Sequence, residues 1–195
     1  MQYSEGQLGR VFVVRIDDGE DFLATIQTFV LEKEIQAGSI LFLGALRNGR
    51  MVTGPEKPVI PPEPHYVIFD GGWETFGIAT IYLGDKGPSI HYHTSVGRAG
   101  HALTGCLREK ATTYLLIEAV ILEFTGLKIR RTYDEKMQVN LPKVDTDIAP
   151  HEEALTQNPP EKSPELPATE PKEDSDEISG GLAEIIRDLT RRPPA

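Results

Sequence analysis

The sequence predicts an α+β fold, in which a mostly antiparallel β-sheet packs with one principal helix and is followed by a disordered acidic tail. Many short segments up to residue 133 are rich in β-branched and aromatic residues and are separated by turn residues, which is typical of strands. One segment, at about residues 20–36, instead repeats its apolar residues at helical spacing. A single helix among many short strands favours a largely antiparallel sheet.

The composition changes at Pro142, and this change predicts where the folded domain ends. Residues 1–142 contain 14 basic and 17 acidic residues, whereas residues 143–195 contain 6 basic and 13 acidic residues. All 14 aromatic residues lie in the first part, and 8 of the 15 prolines lie in the second. A segment of the second kind buries too little apolar surface to offset its ordering entropy. We therefore expect one domain over 1–142, a disordered acidic Pro/Glu-rich linker over 143–177 and an amphipathic helix over 178–192.

The composition also argues against several classes of protein. No apolar run reaches the ~18 residues that cross a bilayer, and the first residues do not resemble a secretory signal. The single cysteine, Cys106, cannot form an internal disulfide, so the sequence predicts a cytoplasmic protein without a membrane partner. With a net charge of −10, the chain lacks the broad basic surface of proteins that are held mainly by DNA phosphates. The core over 1–142 has a net charge of only −3, so a local basic patch is compatible with the sequence.

The first predicted elements are a strand and the helix. The run Gly9–Ile16 (GRVFVVRI) is typical of a strand. Acidic Glu20 and Asp21 then open the predicted helix at 20–36, where they interact favourably with the positive end of its dipole. Gly38 is a suitable residue to stop this helix.

The predicted strands that follow are short. Asn48-Gly49 is a strong signal for a type I′ hairpin turn, and five prolines between residues 54 and 64 indicate a surface loop. Residues 112–124 have the composition of a strand, but their length also suits a helix. The other predicted strands lie at about residues 39–46, 50–53, 65–70, 74–83, 88–96, 101–107 and 127–133.

The end of the tail carries an apolar stripe. Its apolar residues are spaced as on one face of a helix, and they are Ile178, Leu182, Ile185, Ile186 and Leu189. A flexible linker that ends in an amphipathic helix suits a tether whose helix docks in the groove of a partner protein. Packing of this helix against its own domain is the equal alternative.

Three histidines form the most informative chemical pattern. His91 and His93 lie two residues apart on a predicted strand and therefore share one face. The turn Gly97–Gly100 then reverses the chain, so that His101 on the next strand can face the same pocket. Three imidazoles that leave a fourth corner open predict a metal site, with Zn²⁺ as the leading ion and Cu, Ni or Fe as alternatives. The competing interpretation is a polar stripe that faces solvent.

Four further residues are candidates for such a site. Glu74 and Glu118 interrupt apolar, strand-like segments, where a carboxylate can orient a ligand histidine, act as a base or simply face water. Arg98 in the turn can hold an anionic ligand by a bidentate contact or can be solvated. Cys106 lies in an apolar strand, where the role of a small buried apolar side chain is favoured.

The order of these features resembles the plant- and prokaryote-conserved (PPC) domain. The resemblance covers about residues 8–133, and its motifs are Gly19-Glu20-Asp21, Ile40–Ala45, Glu74, His91-x-His93 and the run from Gly100-His101 to Cys106-Leu107. It implies an antiparallel sheet with a packed helix, assembly as a homotrimer, and three histidines grouped near a subunit interface, where family members can hold a metal. Bacterial and archaeal members of this family are often described as predicted DNA-binding proteins.

The residues and the resemblance together favour a non-enzymatic homotrimer that binds Zn²⁺ through His91, His93 and His101. They imply a regulatory or DNA-associated role and a partner-docking helix over 178–192. An AT-hook core of Arg-Gly-Arg-Pro is absent from the sequence, so association with DNA is implied by the family alone. The alternative is a metal-dependent enzyme, in which the metal activates water, one of the two glutamates acts as the base and Arg98 binds an anion.

Overall fold

Seven strands and one helix make up the part of the chain that the structure describes. The computed structural model describes residues 1–55 and 57–145. The elements in chain order are β1 (Gln7–Asp17), α1 (Phe22–Glu32), β2 (Ala37–Val52), β3 (Tyr66–Gly84), β4 (Gly87–Arg98), β5 (His101–Thr125), β6 (Ile129–Asp134) and β7 (Val139–Val144). From residue 146 onward, the predicted linker and the predicted helix over 178–192 lie outside the described residues.

The strands form one sheet in which part of the path closes on itself. The order along the sheet is β1-β5-β2-β3-β6-β7, and β4 pairs with both β3 and β5. Strands β2, β3, β4 and β5 therefore form a closed circuit. Every strand pair is antiparallel except the short contact of β3 with β6. The predicted α+β class with a mostly antiparallel sheet is confirmed.

Helix α1 begins at an aspartate cap and fills the core on one face of the sheet. The side chain of Asp21 accepts a hydrogen bond from the backbone N–H of Ala24 at 3.0 Å, which satisfies one of the free N–H groups at the helix start. The apolar face of the helix is fully buried through Phe22, Ile26 and Val30. Within the described ranges α1 is the only helix, and it is too short to cross a membrane. It ends at Glu32 rather than near residue 36 because the chain turns at Glu34, whose φ is 56°.

Three strands are longer than the sequence predicts, because β2, β3 and β5 each join two predicted segments, and one prediction is wrong. Asn48-Gly49 does not form a hairpin turn but lies inside β2, opposite Asp70 and Phe69 of β3. The glycine is needed there for another reason, because a Cβ on Gly49 would come within 2.5 Å of the ring of Phe69. Residues 112–124, which suited either element, are part of strand β5.

The described chain ends in a hairpin, in which β6 corresponds to the strand predicted at about 127–133 and β7 was not predicted. Strands β6 and β7 pair antiparallel from Ile129–Val144 to Asp134–Val139. The domain boundary predicted at Pro142 therefore falls inside β7, which ends at Val144.

The other face of the sheet, away from α1, exposes apolar side chains. Phe42 of β2 packs against Phe22 of α1, with ring centroids 4.9 Å apart, so the alternating Leu41 and Leu43 point to the opposite face. Direct pairing continues this face across neighbouring strands. We call this surface the outer face, and its exposed apolar members are Val13, Leu41, Leu43, Phe76, Ile78 and Val120.

Candidate metal centre on the β4–β5 hairpin

The β4–β5 hairpin fixes which residues face each other in the candidate site. Arg98 pairs with His101, and the two residues between them, Ala99 and Gly100, both have positive φ, at 49° and 82°. A two-residue turn with positive φ at both positions matches the twist of the flanking strands. The resulting register places His93 directly opposite Cys106. Residues that are directly opposite in an antiparallel pair share a face of the sheet.

Three side chains converge on this face of the hairpin. The Sγ atom of Cys106 lies 2.9 Å from Nε2 of His93 and 3.2 Å from Nε2 of His91. The two imidazole rings are nearly perpendicular, with centroids 4.9 Å apart. A thiol carries one hydrogen and can donate it to only one imidazole at a time. The Cys106 sulfur and the two Nε2 atoms, which are the atoms that could bind a metal, lie around one common point. We call His91, His93 and Cys106 the His–Cys cluster.

The electrostatic surroundings keep His91 neutral. Its pKa is lowered from 6.5 to about 4, first by burial and then by the nearby charges of Arg131, His93 and Arg108. A neutral imidazole has a free lone pair on one ring nitrogen, which is the form that binds metal ions. At neutral pH His91 therefore needs to lose no proton before it can act as a ligand.

The donor set fits a transition metal of intermediate softness. One sulfur and two imidazole nitrogens suit Zn²⁺ and similar ions, whereas Mg²⁺ and Ca²⁺ prefer oxygen. In a tetrahedral site with metal–ligand distances of about 2.0 to 2.3 Å, neighbouring donors lie about 3.5 Å apart. The donors of His93 and Cys106 would need to separate by only about half an ångström from their hydrogen-bonding distance. One thiolate and two histidines leave a fourth position for another ligand.

Within one chain, His101 lies apart from the His–Cys cluster. It pairs with Arg98, and it is separated from Cys106 by five residues along β5. Five residues of strand span about 17 Å, and an odd separation places two side chains on opposite faces. The structure thus brings together two of the three predicted histidine ligands and adds a cysteine in place of the third.

The other predicted site residues gather at the turn end of the hairpin. Glu74, Arg98 and His101 line an open cavity of about 620 Å³ together with Tyr114. Arg98 donates a hydrogen bond from Nη1 to the backbone carbonyl of Asp70 at 3.2 Å. We call Glu74, Arg98 and His101 the turn-end group. Both the glutamate and the arginine are exposed.

Glu118 belongs to neither group. It lies on β5, directly opposite Arg15 of β1 and Leu43 of β2, and its side chain is exposed. Of the two glutamates predicted as candidate bases, Glu74 therefore lies at the turn end and Glu118 lies in the middle of the outer face.

Comparison with known proteins identifies the family of this fold. The sequence profile of the Plants and Prokaryotes Conserved (PCC) domain, also abbreviated PPC, matches residues 3–125. The chain belongs to the PPC family. The resemblance predicted from the ordered motifs is confirmed, and the matched region ends at the last residue of β5. No curated protein matches the chain at a significant level.

Solved structures with the same fold come from archaea and bacteria. A metal-containing protein from Archaeoglobus fulgidus is 25% identical, with a TM-score of 0.65, over 72% of this chain and 98% of that chain. A PPC protein from Pyrococcus horikoshii is 23% identical, with a TM-score of 0.62, over 74% of this chain and 99% of that chain. A protein from Bacteroides thetaiotaomicron that carries the provisional name of DNA-binding protein is 24% identical, with a TM-score of 0.61, over 72% of this chain and 96% of that chain.

Sequence reasoning missed Cys106 as a member of the cluster, although the spacing held the necessary signal. If Ala99 and Gly100 form a two-residue turn, Arg98 and His101 are opposite each other. Each step backwards along β4 is then matched by one step forwards along β5, so the two residue numbers of every opposite pair have the same sum. That rule places position 106 opposite His93 and position 101 opposite Arg98, as the structure of this PPC protein does. The choice of turn residues therefore decides which side chain completes the site.

Proposed function

We propose that this PPC protein binds a transition metal, with Zn²⁺ the leading ion, through His91, His93 and Cys106. The observation that carries this proposal is the convergence of one thiol and two imidazole nitrogens, which lie within 4.8 Å of one another. The related Archaeoglobus fulgidus structure is described as a metal-containing protein, which supports the same conclusion. His101 stays a predicted ligand, and it would have to reach the metal from a position outside this cluster.

Metal content of the purified full chain tests the proposal. Elemental analysis by mass spectrometry should find a transition metal in the wild-type protein, and the double variant His91→Ala/His93→Ala should lose it. The matched control is His101→Ala, which removes an imidazole of the same hairpin and should keep the metal. Unchanged metal in the double variant would rule out the His–Cys cluster, and loss of metal in the control would restore His101 as a ligand.

We also propose that the protein assembles as a homotrimer through its outer face. Phe76 is 68% exposed, and the neighbouring Ile78 is 50% exposed beside the exposed His93. Contiguous exposed apolar surface of this kind is typical of a protein–protein interface. A second copy is the favoured occupant because apolar side chains dominate this face, so that it can pair with an identical surface. The trimeric state itself is implied by membership of the PPC family.

Sedimentation of the full chain tests the assembly. Phe76→Glu places a charge in the centre of the outer face and should convert trimers into monomers at micromolar concentration. Leu31→Glu on the exposed surface of α1 is the control, because it replaces a half-exposed leucine away from the outer face. A wild-type monomer at micromolar concentration would contradict the proposed trimer.

We propose DNA association and a regulatory role as a separate function. The provisional name of the Bacteroides thetaiotaomicron structure supports this proposal, as does the presence of exposed Arg98 and Arg108 outside the ion pairs formed among the described residues. Binding to a DNA duplex should weaken steeply as salt rises, because phosphate contacts release counterions. The absence of a gel shift at about 50 mM salt would contradict it.

The acidic tail is proposed to act as a tether whose helix over 178–192 docks on a protein partner. Deletion of residues 178–195 should abolish capture of that partner and leave the melting temperature of the core unchanged. A large fall in melting temperature would instead indicate that the helix packs on its own domain. The metal-dependent enzyme is the predicted alternative function, but its base candidates Glu74 and Glu118 and its anion ligand Arg98 lie apart from the His–Cys cluster within one chain.

A further inference from the structure

A cavity of about 720 Å³ lies beside the His–Cys cluster. It is bounded by β3, β4 and β5 on one side and by the β6–β7 hairpin on the other. Its size is within the range of pockets that hold small organic ligands. Because β7 supplies one wall, the cavity depends on the hairpin that follows the region matched by the family profile.

Arg131 of β6 is the unusual residue of this cavity. It is only 8% exposed, although arginine is almost never buried unless its charge is paired. One guanidinium nitrogen donates to the hydroxyl of Thr80 at 3.1 Å and another to the carbonyl of Asn140 at 3.4 Å. Its charge also lies 5.6 Å from the ring centroid of Tyr82. All of these partners are neutral.

The guanidinium lacks a counter-ion within residues 1–55 and 57–145. None of the ion pairs among these residues includes Arg131, and its buried Nε–H has no hydrogen-bond partner there. Burial of the side chain lowers the pKa of Arg131; Tyr82 opposes this effect, and the charge of Arg108 adds to it. A buried charge without a partner is unfavourable, so this arrangement is explained best if an anion completes it.

The rest of the lining also favours an anion. Arg108 and His91 line the same cavity, and none of its described lining residues is an aspartate or a glutamate. Hydroxyl groups of Thr80 and Ser89 add hydrogen-bonding capacity, while Leu141 and Pro142 of β7 provide an apolar wall. A neighbouring cavity of about 510 Å³ shares Arg131 and contains Asp85, but this aspartate forms no ion pair with the arginine.

We propose that this cavity binds a small organic anion, whose carboxylate or phosphate group is held by Arg131 and Arg108. A planar guanidinium recognises either group through two parallel hydrogen bonds, and the apolar wall of β7 suits the organic part of the ligand. The proposal goes beyond metal binding and does not depend on it, because the unpaired charge of Arg131 needs an anion with or without a metal. Since His91 and Cys106 also line the cavity, the bound anion lies next to the His–Cys cluster.

Calorimetric titration of the full chain with inorganic phosphate and with succinate tests the proposal. At about 50 mM salt, at least one of the two probes should bind, and the one that binds identifies phosphate or carboxylate as the natural group. Arg131→Met should weaken binding at least tenfold and Arg108→Gln several-fold. The matched control is Arg130→Met, which removes the same charge from the adjacent residue, whose exposed side chain does not line the cavity. This control should stay within twofold of the wild type.

Two further measurements distinguish the anion site from the metal site and from a purely structural role of Arg131. His93→Ala, which removes a member of the His–Cys cluster that does not line the cavity, should retain the anion binding. This variant distinguishes a failure of metal binding from a failure of this proposal. Without ligand, Arg131→Met should melt at the same temperature as the wild type or higher, because it removes an unpaired buried charge.

If this variant does not fold, Arg108→Gln and Thr80→Val carry the test. Failure of both probes to bind at millimolar concentration, or unchanged affinity in all three cavity variants, would overturn the proposal.

Discussion

The two ends of the β4–β5 hairpin carry histidines in different settings. Away from the turn, His91 and His93 converge with Cys106, and the sulfur lies 2.9 and 3.2 Å from the Nε2 atoms of His93 and His91. At the turn, His101 lies beside Glu74 and Arg98 around an open cavity. The first group places three metal-binding atoms around one point, whereas the second combines a carboxylate, a guanidinium and an imidazole on exposed surface.

The difference shows that register, and not the number of histidines, determines where a metal can bind. Opposite residues of a hairpin share a face, so that a cysteine opposite His93 joins the cluster. A histidine that lies an odd number of residues away from that cysteine is directed to the other face. The protein therefore has two chemically distinct groups of side chains on one hairpin, and variants at each end should distinguish them.

The largest expected effect is the loss of metal affinity when the cysteine is removed. Cys106→Ala should lower the affinity for Zn²⁺ at least about 100-fold, because loss of an outer-shell partner alone costs 10–100-fold at such sites. A competitive titration with a chromophoric chelator measures the change. His101→Ala should alter the affinity less than twofold. Equal losses in the two variants would remove the distinction between the two ends.

A chelator should destabilise only a protein whose His–Cys cluster is intact. A ligand present at 100 times its dissociation constant stabilises the folded state by about 2.7 kcal/mol. For a chain of this size, that free energy corresponds to a fall in melting temperature of roughly 5 to 10 °C when the metal is removed. Scanning calorimetry with and without chelator measures it, and Cys106→Ala should show a much smaller shift. A full shift in that variant would contradict the assigned ligand.

At the turn end, a substitution at Gly71 should affect stability but not metal binding. Gly71 has a φ of 93°, and a Cβ at this position would overlap Nη1 of Arg98. Gly71→Ala should therefore lower the free energy of unfolding by about 1 to 3 kcal/mol, the usual cost of such backbone strain. Urea denaturation measures the loss, and metal content is the control. A decrease in bound metal would show that the two ends are coupled.

A further expected effect is the pH dependence of the metal-free protein. The pKa of His91 is about 4 in the folded protein and 6.5 ordinarily. Between these values the unfolded chain binds more protons than the folded chain, so the free energy of unfolding should fall as pH falls from 6.5 to 4. His91→Gln should show a shallower decrease in urea denaturation at several pH values. Equal slopes would indicate that His91 is protonated normally.

Most of the fold could be predicted from the sequence because its signals are local. The aspartate at the start of α1 and the apolar spacing of Phe22, Ile26 and Val30 predicted the helix. The β-branched segments predicted the strands, and the order of the glycine, glutamate and histidine motifs predicted the family. Asn48-Gly49 misled the prediction because the glycine is required by the close approach of the Phe69 ring from the neighbouring strand and not by a local turn.

The candidate site was harder to predict because it depends on pairing between strands. The spacing of His91 and His93 correctly placed them together, since alternation is a local property of a strand. The third position required the exact register of the hairpin, and a small shift in the turn changes the partner from one face to the other. The buried Arg131 lies on the strand predicted at about 127–133, but its partner strand β7 was not predicted, so the cavity that β7 helps to form became visible only in the structure.

The absorption spectrum of the Co²⁺-substituted full chain tests the central claim most directly. If Cys106 is a ligand together with the two histidines, Co²⁺ should produce a thiolate-to-metal charge-transfer band in the near ultraviolet, and one equivalent per chain should saturate it. The band should vanish in Cys106→Ala and persist in His101→Ala. Co²⁺ that binds without this band, or a band that disappears in His101→Ala, would contradict the assignment of the metal to the His–Cys cluster.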